Sequence, residues 1–468
     1  MSTEELKTLP SQDGMSRNLL IQNARLIDGT GNPPQEGVSL LIANGRIAKI
    51  GRQIFDQQAK KLDAGGLTVL PGLIDSHVHL ASVPGSVYRH DSETCIRELR
   101  RTHLRAYLAC GVTTVLDAGM TIADAREIQS WLDHGHPGPR MVVLSPAFTT
   151  PHGYLAGGAP SVGHFFPPVS SPQEVEERFS ESDGLNAVGV KVFLESGFGA
   201  SCWPIHAPEI REAIRQGAAR RKLPLYIHTT IEADTRVALD MGAFALAHLA
   251  SLESGELIAR LKQRSAYVTS TLSIQDAWLT QHEPERLDDS LVQLTVPPLE
   301  IATARQPDAW KFLNRTFAQW LSPDAVDEAM HTIESNVPNA LAAWKAIAGK
   351  LHEAGLPIVV GTDSGAWPLM PCEFHGPTTL REMELLGASG LSAMEVIQAA
   401  TLIPSRMLGV SAEIGTVEVG KQADLAIVQG NPLEDLRTLR NIKWTVKGGI
   451  ARSPEEWMTS NQEQQLGA

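Results

Sequence analysis

The chain is short of cysteine, of positive charge and of long hydrophobic runs. Cys95, Cys110, Cys202 and Cys372 are scattered with no CxxC pair, which excludes a disulfide scaffold and a cysteine-based zinc module. Forty Lys and Arg against 53 Asp and Glu leave a formal net charge of -13, which argues against a general nucleic-acid binder and an anionic-membrane binder. No uninterrupted apolar run reaches transmembrane length, and the polar opening MSTEELKTLPSQDGMSRN lacks the apolar core of a signal peptide. The expected compartment is the cytoplasm. Regular patterning starts only after Met15, an alternative start. What is present is core material. With 43% hydrophobic and 20% charged residues over 468 positions, the chain can bury one large domain with an appendage, or two to three small ones.

Two rhythms divide the chain. Residues 18–65 read as short strands with an Asn44-Gly45 hairpin turn, and 411–452 read the same way. The two segments are expected to pair into one small β-sandwich, since chain ends often lie together. Between them, from 66 to 410, short apolar strands alternate with helical stretches. The strand candidates are LTVLPGLIDSH, VTTVLDAG, RMVVLSPA, AVGVKVFLE, LPLYIHT, AFALAHL, AYVTSTL and LPIVVGTDS. Ser92 and Ser171 are placed to cap two of the intervening helices. This α/β pattern predicts a distorted (β/α)8 TIM barrel, with an open doubly wound sheet as the alternative. The Gly/Pro-rich loop 147–170 and the stretch 275–338 stand outside the rhythm.

Barrel chemistry sits at the C-terminal strand ends. The first strand ends in Asp75-Ser76-His77-Val78-His79, the fifth in His228, the sixth in His248 and the eighth in Asp363. His77 and His79 are two apart, so on a strand both rings point to one side and can hold one ion. Taken singly, the histidines read first as satisfied core histidines, and Asp363 could be only an N-cap or turn residue; what points to a metal is that all five sit at predicted strand ends on one rim. Lys191 lies between Val190 and Val192 in a strand predicted to be buried on both faces. A cation there is costly, and burial frees the neutral amine for reaction with carbon dioxide. The bland reading is a snorkelling or ion-paired lysine.

The ordered set PGLIDSHVHL, GVKVF, YIH, AH and GTDSG, flanked by NARLIDGTG and IGTVEVGKQADLAIV, resembles the amidohydrolase superfamily over about 18–450. The resemblance implies a binuclear centre. His77 and His79 would hold one divalent ion with Asp363, His228 and His248 the second, and carboxylated Lys191 would bridge both. Zinc suits these donors, with cobalt or manganese as alternatives. Mononuclear deaminases of the superfamily carry a glutamate three residues after the fifth-strand histidine, where this chain has Ile231. The chain looks most like the branch of Xaa-Pro and Xaa-Arg dipeptidases, ochratoxin-type amidases, and phenylurea and thiocarbamate hydrolases.

The expected reaction is attack of a metal-bridging hydroxide on an amide, urea or carbamate carbonyl, with Asp363 moving the proton. The oxyanion donor is expected to be His152, in Pro151-His152-Gly153, with Tyr154 as the other candidate. His164, His206 and Tyr226 are further candidates for touching substrate. The loops 147–170 and 195–206 contain no Arg or Lys, and Arg89 is the nearest cation to the motifs. They offer Phe148, Tyr154, Phe165, Phe166, Phe198 and Trp203, and 275–338 adds Trp278, Trp310, Phe312, Phe317 and Trp320. A small, neutral, aromatic or apolar substrate is therefore expected, handled by a homo-oligomer that binds neither nucleic acid nor membrane. A dipeptidase, a lactonase or esterase on the same centre, and a non-catalytic scaffold are the other readings.

Overall fold

The computed structural model describes residues 18–86, 91–154, 156, 167–197, 202–249, 252, 254–311, 323–366 and 371–459. Its first strands are β1 (Leu19–Leu26), β2 (Gln35–Ala43), β3 (Arg46–Gly51), β4 (Lys60–Asp63) and β5 (Leu67–Pro71). β2 and β3 form the antiparallel hairpin that Asn44-Gly45 predicts, with Ala43 opposite Arg46. Asn44 and Gly45 have φ of 52° and 73°, the left-handed pair that a tight hairpin turn needs.

Eight short strands follow: β6 (Leu73–Val78), β7 (Val112–Asp117), β8 (Arg140–Val143), β9 (Val190–Phe193), β10 (Leu225–His228), β11 (Ala245–Leu246), β12 (Tyr267–Thr269) and β13 (Ile358–Val359). They fall on the eight predicted segments and pair in parallel, as β6-β7-β8 and as β9-β10-β11-β12-β13. Backbone hydrogen bonds cross both junctions between these two groups. Ser145 and Phe148 donate to Gly189 and Lys191, while Ser76 donates to Val360 and Asp363 to His77. Helices lie between strands as the caps predict. The Ser92 hydroxyl accepts the Cys95 N–H at the start of helix Glu93–Ala109, and Ser171 accepts from Glu174 at the start of Pro172–Ser182.

β14 (Leu425–Gln429), β15 (Ile442–Lys447) and β16 (Ile450–Arg452) then return to the first strands. All eight end strands join in one mixed sheet, in the order β16-β15-β14-β5-β1-β2-β3, with β4 also on β1. This differs from a sandwich of two separate sheets. The reason lies in β1, whose one edge takes β4 along Leu19–Gln22 and then β5 along Arg25–Leu26. Asn23, at φ 64°, and a register shift there bend the strand between the two partners. The sheet thereby closes on one apolar cluster that includes Ile21, Leu40, Val69, Leu425 and Val446.

The predicted first strand also divides. Leu67–Pro71 pairs with β14 in the mixed sheet, and Leu73–Val78 opens the parallel set. Gly72 makes the crossing possible, because a Cβ there would lie 2.2 Å from Thr113 Oγ1. The stretch 275–338 is built largely of short helices, including Ser290–Thr295 and Pro298–Ala304, before the long helix Pro323–Glu353. Among the described residues no helix is long and apolar enough to cross a membrane.

Candidate metal centre

The strand ends bring six side chains together. His77 closes β6 and His79 follows it, and both Nε2 atoms approach Asp363 Oδ1, at 3.1 and 3.0 Å. His228 ends β10 and His248 lies just beyond β11, with His228 Nδ1 2.9 Å from His248 Nε2. The His77 and His248 rings, 5.1 Å apart, join the two groups. Lys191 on β9 is 1% exposed, and its ammonium acts on both His77 and His248.

Burial sets the charge state of each group. It pushes His77 down to about 3 and His248 well below the usual imidazole range, so both rings are neutral donors. It works to raise the Asp363 carboxyl, but His77 and His79 together hold it well below the ordinary range. Lys191 is lowered by burial to about 8, against the pull of Asp363 and Asp117. Near neutrality a sizeable share of its amine is therefore uncharged and nucleophilic.

The donors fit a divalent ion. The ligand atoms of His77, His79 and Asp363 lie within 4.8 Å of one another. Among the described residues, His77 Nε2 is buried without a well-aligned hydrogen bond. An orphaned buried imidazole nitrogen is costly, and a metal satisfies it. Neutral imidazoles with a carboxylate form a borderline-hard set of the kind zinc, cobalt and manganese take.

A surrounding layer of carboxylates holds these donors. Asp75, fully buried, takes four hydrogen bonds: from the N–H of His77, from the N–H and hydroxyl of Thr362, and from the Thr379 hydroxyl. It thereby locks the β6 end to the loop that carries Asp363. Burial raises its carboxyl to about 7 despite those donors. Asp363 itself sits at φ 62°, in the left-handed region, and its N–H donates to the His77 carbonyl at 2.8 Å. A non-glycine residue there costs of order 1–3 kcal/mol, which the surrounding bonds must offset. Asp117 ends β7 and accepts from Leu80 and Gly119 N–H at 2.7 and 2.9 Å, fixing the turn after His79. Glu382 accepts the N–H groups of Leu272 and Ser273, next to Thr271, whose hydroxyl meets His248 Nδ1 at 2.9 Å. Glu195, 1% exposed, places Oε2 3.4 Å from His228 Nε2.

The remaining candidates separate. Tyr154 is brought to the centre: its ring stacks on His228 at 5.0 Å and 18°. Trp203 lies 5.4 Å from it and belongs to an apolar cluster with Trp278 and Trp310. His152 is not brought there. It stays exposed at φ 59° in the turn in which Gly153 donates to Thr150, a turn that leaves Tyr154 on the inner side. Tyr226 packs instead of facing the ligands, and its hydroxyl donates to the Met407 carbonyl at 3.3 Å. His206 is buried, lowered by burial to about 4, and its ring nitrogens lack a well-aligned hydrogen bond. Arg89, His164, Phe165, Phe166, Phe198, Phe312, Phe317 and Trp320 lie outside the described residues.

Sequence reasoning did not assign Asp117, Glu195, Glu373 or Glu382. Asp117 carried a usable signal, because it closes a predicted strand on the same rim. Glu373 is a fully buried carboxyl with neither oxygen hydrogen-bonded among the described residues, raised well above its usual range by burial and by Asp363 and Glu382.

A family model described as "Amidohydrolase family" matches residues 68–451. Among curated relatives, the dihydroorotase of Streptococcus pneumoniae is 35% identical over 121 residues, 24% of this chain and 25% of that protein. Matches of this kind span only part of the curated relatives, 61% of the protein's length in a dihydroorotase of Streptococcus pyogenes. Solved structures align over nearly the whole chain. A Xaa-Pro dipeptidase with methionine in its active site has a TM-score of 0.71 at 22% identity, covering 93% of this chain and 100% of that one. Phenylurea hydrolase B has a TM-score of 0.70 at 18% identity, covering 95% and 98%.

Proposed function

The chain belongs to the amidohydrolase family, enzymes that act on carbon–nitrogen bonds, and from that premise we propose a binuclear hydrolase of amides, ureas or carbamates. In this reading the eight parallel strands close into a (β/α)8 barrel, which the hydrogen bonds across both strand junctions support. Residues 18–65 with 411–452, together with β5 in the same sheet, form the smaller domain, and the chain from β6 to 410 the catalytic one. The observation that carries the reading is the convergence of His77, His79 and Asp363 with His228, His248 and a buried, low-pKa Lys191.

His77, His79 and Asp363 would hold one divalent ion, His228 and His248 the other, and carboxylated Lys191 would serve both. Bound there, the ions supply Lewis acidity and lower the pKa of water. Asp363, anionic and fixed by His77 and His79, takes the proton of the attacking water at Oδ and returns it to the leaving nitrogen. Tyr154 donates its hydroxyl to the carbonyl oxygen as negative charge develops there. Burial, with the nearby Glu195, Asp363 and Glu373 charges, raises Tyr154 well above the usual phenol range, so it remains a protonated donor.

The substrate is small and neutral, with an aromatic or bulky apolar group beside the scissile carbonyl. Tyr154, Trp203, Trp278 and Trp310 support an apolar wall over the metal ligands. A free substrate carboxylate calls for an arginine fork, and the segments 147–170 and 195–206 carry no Arg or Lys. Steady-state kinetics on matched N-acyl compounds, each as free acid and as neutral amide, test this. The neutral series is expected to have the higher kcat/KM, and a clear preference for the free acids would return the protein to the dipeptidase reading.

A further inference from the structure

We propose that Glu195 is a positioning residue that fixes the His228 tautomer and so aims its Nδ1 lone pair at the second metal ion; this rests on the binuclear reading above. A neutral imidazole carries one proton on two nitrogens, and what faces one nitrogen decides what the other can do. His228 Nε2 has Glu195 Oε2 at 3.4 Å, and Nδ1 has His248 Nε2 at 2.9 Å. Glu195 Oε2 already accepts the Thr230 hydroxyl, so it faces His228 as an acceptor and the proton belongs on Nε2. His248 is free to match it, because the Thr271 hydroxyl, 2.9 Å from its Nδ1, can either donate or accept. His228 Nδ1 thus keeps its lone pair for His248 Nε2, 2.9 Å away, and a cation that replaces the proton between the rings would take a lone pair from each. Without Glu195, His228 can carry its proton on Nδ1 instead and donate it to His248 Nε2, which leaves Nδ1 no lone pair for a cation.

Glu195 is held for this task. The Thr230 hydroxyl donates to its Oε2 at 2.6 Å and the Gly197 N–H to its Oε1 at 3.2 Å. Phe193 pairs with His228 across β9 and β10, and Leu194 N–H donates to the His228 carbonyl at 3.0 Å. That register places Glu195 beside the histidine, four residues after Lys191 on the same chain segment. A buried carboxylate away from any charge partner is costly, and a histidine committed to a cation is the partner this position offers.

The test uses the full chain loaded with zinc, and two readouts. Nitrogen-resolved NMR of the histidine side chains is expected to show His228 protonated at Nε2, with or without zinc. Chelator competition followed by elemental analysis is expected to show Glu195→Ala releasing one of its two zinc ions at about 10–100-fold lower chelator than the unaltered chain. The other ion should leave at an unchanged chelator concentration. Glu195→Gln should lie between, because its amide oxygen still accepts. Protonation of His228 at Nδ1 in the unaltered chain, an alanine variant identical to it, or a glutamine variant as weak as alanine would overturn the inference. A wild-type chain that binds a single zinc sinks the binuclear reading, while the tautomer still decides Glu195. The tautomer measurement also decides the matter if the alanine variant fails to fold.

Discussion

The two halves of the proposed metal centre are built differently. His77, His79 and Asp363 come from adjacent chain segments that Asp75 staples together, and they already include an anion. His228 and His248 are two imidazoles facing each other, and the buried Lys191 on β9 acts on His248 as a cation. The first half is complete as it stands. The second half has no negative charge among its donors, and in the proposed centre carboxylation of the Lys191 amine would supply it. Occupancy of the second half should therefore depend on carbon dioxide and on surrounding groups, whereas occupancy of the first should not.

Lys191→Ala should break the comparison most severely. One metal per chain is lost, and kcat falls by about 10⁴-fold, the scale of losing several kcal/mol of charge stabilisation. Short-chain carboxylates should restore part of both, because they replace the missing anion. Elemental analysis and kinetics with and without acetate or propionate decide the point, and full activity in the alanine variant would remove the lysine from the mechanism.

Asp363→Asn strikes the other half. The amide cannot carry a proton between water and leaving group, so turnover should drop by about 10²–10⁴-fold with the fold retained. Rates compared at equal metal occupancy separate the proton role from the ligand role. An unchanged kcat under those conditions would assign the proton to another group. Tyr154→Phe should be milder, about 10²–10³-fold in kcat with metal content unchanged, if its hydroxyl meets the developing oxyanion. His152→Ala, in the exposed turn, should leave kcat within about twofold, and the reverse ranking would restore His152 as the donor.

Much of this was legible in the sequence because strands fix direction. The eight apolar segments and the identity of the residue ending each one place His77, His228, His248 and Asp363 on one rim. Lys191 stands out as a charge inside VKVF. Loops have no such period, so nothing in TTPHGY tells that a left-handed turn at His152 sends Tyr154 inward instead. Long-range support is equally hidden. The Asp75–Thr379 and Glu382–Ser273 bonds join positions more than a hundred residues apart. LTVLPGLIDSH reads as one strand, and only the crowding around Gly72 shows that it is two.

The most direct test of unequal halves is metal uptake by the stripped protein in carbon dioxide-free buffer, followed by added bicarbonate. The account predicts one equivalent of zinc bound without bicarbonate and a second only after it is supplied. Uptake of the second should quicken as pH rises through about 8, where Lys191 loses its proton. Two equivalents bound with equal affinity in the absence of carbon dioxide, or no dependence on bicarbonate at any pH, would contradict it.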